Sequence, residues 1–138
     1  MSSEILNAMQ ISASGMRAQG TRLRVITENI ANANTTADAP GADPYRRQTI
    51  TFKNELDREL GVNKVEVDDI NVDRSDFRLE YNPGHPAADE NGYVRMPNVN
   101  TLIEMMDARE AQRSYEANLG MIEQSRTMVL RTIDLLRQ

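Results

Sequence analysis

The chain of 138 residues is long enough for one domain with one modest hydrophobic core. Hydrophobic residues make up 39% of it and charged residues 27%, which excludes a membrane protein and a plainly disordered chain. Cysteine is absent, which excludes disulfides and thiolate metal sites, and the net charge of −5 comes from residues 32–100, where 13 acidic side chains outnumber 8 basic ones.

The first predicted element is a helix over residues 4–31. Its core positions form two rows at intervals of seven residues: Met9, Met16, Leu23 and Ile30, and Ile5, Ser12, Gln19 and Ile26. The two rows alternate at spacings of three and four, which is typical of a coiled-coil seam. Because Gly15 and Gly20 each cost up to about 1 kcal/mol relative to alanine, the isolated segment should be a poor helix that orders against partners.

Three asparagines, Asn29, Asn32 and Asn34, crowd the end of this helix. They either cap it or hydrogen-bond a neighbouring subunit, and capping is the simpler interpretation. Residues 35–44 have the composition of a loop. The pair Arg46 and Arg47 that follows is equally compatible with a partner contact and with an ordinary loop.

The middle of the chain shows the apolar–polar alternation of short, half-buried strands. The alternating stretches lie at residues 49–52, 64–67 and 77–81, with a possible helical turn at 54–60 and a turn at 82–86. A second helix is predicted over residues 101–137, where Thr101 and Glu104 have the spacing of a capping box. One row of it at intervals of seven comprises Ala108, Tyr115, Ile122, Val129 and Leu136. The methionines of this helix are interpreted as packing residues: Met105, Met106, Met121 and Met128.

These elements predict a mainly α fold with a small β region. Two long terminal helices pack as a coiled-coil-like pair and are joined by a short irregular and β-containing middle segment. The predicted division is an N-terminal helix in residues 1–34, a middle region in 35–100 and a C-terminal helix in 101–138. At 1.5 Å per residue such helices are too long for a compact globule of this size, which favours an elongated assembly.

Catalytic, cofactor and metal sites are not predicted. The only histidine, His85, lies in a turn without a nucleophile nearby. A calcium-loop spacing of acidic residues begins at Asp69 and ends at Glu80, but Arg74 occupies the position that requires glycine, so a solvated acidic strand is the better interpretation. No basic patch indicates nucleic acid binding.

Sequence motifs at the two opposite ends of the chain favour a more specific interpretation. Residues 14–16 with 29–35, and residues 114–118 with 128–130, resemble the terminal signatures of the bacterial flagellar axial proteins of the rod, hook and hook-associated classes. In the middle, residues 44–47, 81–86, 92–94 and 97–100 are similar to the proximal-rod members of that family. The resemblance covers nearly the whole chain.

The resemblance implies a structural subunit, not an enzyme, that polymerises through its terminal helices into the periplasmic rod and passes torque to the hook. It implies export by the flagellar type III apparatus without a cleavable signal peptide. The expected partners are other copies of the chain and the rod proteins FlgB, FlgF, FlgG and FliE, with no nucleic acid, cofactor or small-molecule substrate. The alternatives are another axial protein, a free-standing coiled-coil adaptor and, less favoured, a small hydrolase.

The expected assembly interface consists of the helix seams and the polar motifs. Its residues are Ile5, Met9, Met16, Leu23, Ile26, Asn29, Ile30, Asn32, Asn34, Arg46, Arg47, Tyr115, Asn118, Ile122, Val129, Ile133 and Leu136. Aspartate in place of Ile26 and Ile122 is expected to abolish assembly.

Overall fold

The computed structural model describes all 138 residues. Its elements in chain order are helix α1 (Ser2–Ala31), strands β1 (Gln48–Asp57), β2 (Val62–Val72), β3 (Arg78–Tyr81) and β4 (Tyr93–Met96), and helix α2 (Thr101–Leu136). The predicted fold class of two terminal helices and a small β region is confirmed. Neither helix combines the length and the apolar character that crossing a membrane requires.

The chain forms two compact units, each containing part of both helices and part of the middle region. The first unit comprises residues 1–23, 51–69 and 109–138, and the second comprises residues 24–50 and 70–108. The predicted division at residues 34 and 100 follows the helix ends instead of these units, and it stays a prediction.

In the first unit, α1 and α2 run antiparallel and approach closely. Arg22 Nη2 of α1 lies 3.6 Å from Glu110 Oε2 of α2. Gly15, seven residues before Arg22, lies against Asn118, which is eight residues after Glu110. The buried side chains of this unit are all small: Ser12, Ser14, Ala18, Ala111 and Ser125. Small side chains let two helix backbones come close, but they bury little apolar area.

Strands β1 and β2 form a hairpin whose turn lies in the first unit, while the first residues of β1 and the last residues of β2 belong to the second. Its turn is held by Asp57, whose Oδ1 accepts hydrogen bonds from the backbone N–H of Glu59 and of Leu60, and Gly61 closes the turn at a φ of 66°. The hydrogen bond from Lys64 Nζ at 2.5 Å, followed by that from Leu60, lowers the pKa of Asp57 below its ordinary value. The hairpin is tied to α1 by Ser14 Oγ, which accepts from Val65 N at 3.3 Å.

The second unit contains the antiparallel pair β3–β4, in which Tyr81 faces Tyr93 and Arg78 faces Met96. Gly92 precedes β4 at a φ of 84°, and a Cβ there would lie 2.9 Å from the Tyr81 ring. Glycine is therefore required at this position for both conformation and space. The apolar core of the unit comprises Val25, Ile26, Ala33, Val94, Met96 and Val99.

Three local predictions are wrong. Residues 54–57 continue β1 and do not form a helical turn, because pairing with β2 supplies the backbone partners that local helix propensity cannot. Strand β4 was not predicted. The cap of α2 is Asn100 and not Thr101, since Asn100 Oδ1 accepts from the N–H groups of Leu102 and Ile103.

Candidate functional site

Asn29, at the end of α1, is the centre of a buried polar cluster in the second unit. Its side chain is 1% exposed. Oδ1 accepts hydrogen bonds from Tyr45 Oη at 2.8 Å and from Gln48 N at 2.9 Å, and Nδ2 donates to Gln48 O at 2.9 Å and to Glu104 Oε2 at 3.5 Å. Every hydrogen-bonding position of the amide is used. The Asn29 amide thus satisfies both backbone groups of Gln48, the first residue of β1, as a neighbouring strand would.

Glu104, in the first turn of α2, is the buried carboxylate of this cluster and is 1% exposed. Arg47 Nε donates to Glu104 Oε1, while Arg47 Nη1 lies 3.5 Å from Asp73 Oδ2 and Nη2 lies 3.9 Å from Asp107 Oδ2. The predicted capping role of Glu104 is wrong because its carboxylate is turned to Arg47. A buried charge needs such a partner, and here one guanidinium serves three carboxylates.

The protonation states within the cluster follow from burial and charge. Burial lowers the pKa of Arg47, but the hydrogen bond to Glu104 and the charges of Glu104, Asp73 and Asp107 outweigh it, so the pKa is raised above its ordinary value. Burial, and then the negative charges of Glu28 and Glu104, raise the pKa of Tyr45. The guanidinium therefore stays charged and the phenol stays a hydrogen-bond donor at neutral pH.

Arg46 and Asn98 complete the cluster at its edge. The Arg46 guanidinium lies 4.2 Å above the Phe77 ring, and its Nη1 donates to the carbonyls of Asp73 and Ser75. Asn98 Nδ2 donates to Asp73 O at 2.9 Å, and its Oδ1 accepts from Arg47 N at 2.8 Å. Both arginines of the predicted pair therefore have partners inside the second unit, and a contact of either with another chain stays a prediction.

His85 lies in a turn, as predicted. Its Nδ1 accepts from Ala87 N at 3.0 Å, which leaves Nε2 to carry the proton and donate to Thr36 Oγ1 at 3.2 Å. No group of three or more histidine, cysteine or acidic side chains is arranged to hold a metal ion.

The first unit offers a different kind of site, because α2 exposes apolar side chains on both sides of the seam that α1 covers. Met121, Met128 and Leu135 follow one another at intervals of seven along one side, which we call the first flank; Met121 is 50% and Met128 44% exposed. The second flank, on the other side, comprises Leu119, Leu130 and Ile133, all exposed. Contiguous exposed apolar rows of this kind mark interaction surfaces.

The predicted interface residues are divided between these environments. Asn29 and Ile26 are buried, whereas Asn34, Ile133 and Leu136 are exposed. The others are half-buried: Ile5, Met9, Met16, Leu23, Ile30, Asn32, Arg46, Arg47, Tyr115, Asn118, Ile122 and Val129. Their role in assembly stays a prediction. The seam prediction missed the two flanks. Met121 and Met128 are only half covered in this chain, as are Met105 (56% exposed) and Met106 (63% exposed), so the interpretation of all four as packing residues stays a prediction.

Asp73 makes the second unit sensitive to acid. The backbone N–H of Ser75, then the Ser75 hydroxyl and Arg47, lower the pKa of Asp73. A carboxyl with a lowered pKa stabilises the fold above its unfolded value of about 3.9 and loses that contribution as pH falls through the folded pKa. We expect the midpoint of urea unfolding to fall as pH decreases from about 5 through the lowered folded-state pKa of Asp73, and Asp73→Asn to flatten this decline. The exposed loop variant Asp38→Asn should keep the wild-type dependence, and an unchanged slope in Asp73→Asn would contradict the assignment.

Comparison with known proteins agrees with both terminal signatures. Residues 9–37 match the family described as flagella basal body rod protein, and residues 90–135 match the flagellar basal body rod FlgEFG protein C-terminal family. The flagellar basal-body rod protein FlgC of Agrobacterium fabrum is 61% identical over 130 residues, which cover 94% of each chain. FlgC of Salmonella typhimurium is 36% identical over 95% of this chain and 97% of that protein, and FlgC of Bacillus subtilis is 34% identical over 94% and 96%.

The chain is therefore a member of the flagellar basal-body rod proteins, and the predicted family is confirmed. Within that class it belongs to the FlgC family.

Proposed function

We propose that this chain is a structural, non-enzymatic subunit of the bacterial flagellar rod that assembles through its terminal helices and carries torque toward the hook. Membership of the FlgC family supports the role. The single structural observation that supports this function is the pair of apolar flanks on α2. Helix α1 covers the seam between the two flanks but leaves both flanks exposed. Such a helix buries its apolar surface fully only when other chains lie on both sides of it.

The two flanks favour a polymer over a symmetric dimer. A twofold dimer joins one patch to the same patch of a second copy, and it would cover one flank and leave the other in water. Two different uncovered surfaces need two different partner surfaces, which is the arrangement of head-to-tail contacts that continue from copy to copy. This arrangement distinguishes a rod subunit from a free-standing coiled-coil adaptor.

Assembly also accounts for the small buried side chains of the first unit. Ser12, Ala18, Ala111 and Ser125 bury too little apolar area to offset the entropy of ordering two helix ends alone. Order acquired on assembly keeps the chain flexible enough for export by the flagellar type III apparatus without a cleavable signal peptide. The partners in the periplasmic rod are then other copies and FlgB, FlgF, FlgG and FliE, and the assembly interface includes the seam and motif residues named above.

A charge on the first flank tests this function. Met128→Glu is expected to abolish rods and swimming, because a carboxylate cannot be buried between helices without a partner. The measurements are motility in soft agar and electron microscopy of isolated basal bodies, with urea unfolding to show that the second unit is intact. Thr127→Glu, which adds the same charge at an exposed position of α2 outside the first flank, is the matched control and should leave rods in place. Normal rods in Met128→Glu would exclude the flank from assembly.

A further inference from the structure

Asn118 and Gly15 form the one interlocking contact between α1 and α2 in the first unit. A Cβ at Gly15 would lie 2.8 Å from Asn118 Nδ2 and 3.0 Å from Oδ1, closer than carbon atoms approach such groups. Moving the amide away would give up the hydrogen bond that Asn118 Nδ2 donates to Ser114 O on its own helix at 2.9 Å. While Asn118 keeps this conformation, only glycine fits opposite it.

The remaining contacts of this seam discriminate poorly between alternative pairings. Its fully buried residues are serines and alanines of similar size, which pack about equally well against one another in several registers, and its larger residues, such as Met16 and Tyr115, are only half-buried. The ion pair of Arg22 and Glu110 is partly in solvent, since Glu110 is 70% exposed, and exposed ion pairs contribute little. Within the first unit, register selection therefore falls to a contact with a specific shape.

A shift by one heptad destroys the interlock in both directions. The residues seven positions from Gly15 on α1 are Ala8 and Arg22, and both carry the Cβ that Gly15 lacks. Either shift would place Asn118 against one of them. The seven-residue repeat of α2 offers only Ala111 or Ser125 in its place, and neither fills the space above Gly15 as the amide does.

We propose that the Gly15–Asn118 contact is the specificity determinant that pairs α1 with α2 of the same copy and in this register. The inference rests on the function proposed above, because in a rod each α1 meets identical α2 helices of neighbouring copies. A polar residue buried at one seam position selects partner and register at some cost in stability. Here Asn118 selects by shape, and Gly15 is the only glycine among the positions of α1 that follow one another at intervals of seven residues in its row.

Cysteine cross-linking of assembled rods tests this assignment, and the natural chain contains no cysteine to interfere. Arg22→Cys with Glu110→Cys reports the native register, and Arg22→Cys with Ala117→Cys reports a shift of one heptad. Rods that carry either pair in the otherwise natural chain, treated with a short bis-maleimide, should give an intramolecular product with the first pair and almost none with the second. Adding Asn118→Ala should raise the shifted product and the covalent multimers several-fold.

Further variants separate specificity from simple packing. Gly15→Ala alone should reduce the native cross-link. Gly15→Ala combined with Asn118→Ala should restore the yield of rods but not the preference for the native over the shifted cross-link. Gly20→Ala is the matched control, because a Cβ there meets nothing within 4 Å. It should leave the cross-link pattern unchanged.

An unchanged pattern in Asn118→Ala would overturn the assignment and place the register determinant in the second unit, where Asn29 meets Glu104. If the wild-type chain formed no rods, the proposed function would fail instead. The two cysteine pairs would still report the register within single chains, so the two failures are distinguishable.

Discussion

Replacement of Asn29 by aspartate is expected to lower the free energy of unfolding of the second unit by about 3–5 kcal/mol. Aspartate lacks both N–H donors, so Gln48 O loses the donor that Asn29 supplies, and Glu104 keeps Arg47 but loses its bond to Asn29. It also adds a negative charge within hydrogen-bond distance of the Glu104 carboxylate, in a place that is almost closed to water. Two like charges there cannot both be ionised without a large cost.

The measurement is urea unfolding of the purified chain followed by circular dichroism. Asn34→Asp is the matched control, because it makes the same chemical change at an exposed position five residues further along the chain. The control should stay within about 0.5 kcal/mol of the wild type. If the two variants were equally stable, the hydrogen bonds of Asn29 would not be what holds β1 and α2 to the end of α1.

Replacement of Arg47 by methionine is expected to have the second large effect, a loss of about 3–5 kcal/mol of unfolding free energy. Methionine keeps much of the packing volume but leaves Glu104 as a buried carboxylate without its cation. The loss is the cost of an unpaired buried charge more than the strength of the ion pair. Combining Arg47→Met with Glu104→Gln should therefore recover most of the stability, because the remaining amide carries no charge.

A double-mutant cycle with Arg47→Met, Glu104→Gln and the combined variant measures this coupling. Arg24→Met is the matched control, since Arg24 pairs with Glu28 at 3.0 Å on an exposed helix surface. Such a pair contributes about 0.3–0.5 kcal/mol. Additive losses at Arg47 and Glu104 would show that the two side chains act independently.

The helices were predictable because their signal is local and repeated. Four apolar residues at intervals of seven define α1, and the predicted range 101–137 differs from Thr101–Leu136 by one residue. Strand β4 and the length of β1 were not predictable in this way. The backbone groups of both strands are hydrogen-bonded to a partner strand. No pattern within a segment as short as the four residues of β4 reveals which strand that partner is.

The polar cluster shows the limit of such patterns most clearly. Asn29 and Glu104 are separated by 75 positions, and each has an adequate local explanation as a capping residue. Only the fold brings Asn29 to the Gln48 backbone, Glu104 to the Arg47 guanidinium, and the two side chains to each other. The two flanks were not predicted for a related reason. Periodicity shows that α2 is apolar on several sides, but which side α1 covers depends on the register set at Gly15 and Asn118.

The hydrogen-bonded cluster of the second unit has a mechanical consequence. Directional bonds between Asn29, Arg47 and Glu104 connect segments that lie far apart in the chain. A shear force on this cluster must therefore stretch several of these bonds together. Apolar contacts between smooth side chains slide under the same strain because their energy depends little on direction. A drive shaft built from such subunits combines stiff joints, which resist twist, with a yielding seam of small residues, which lets the shaft flex.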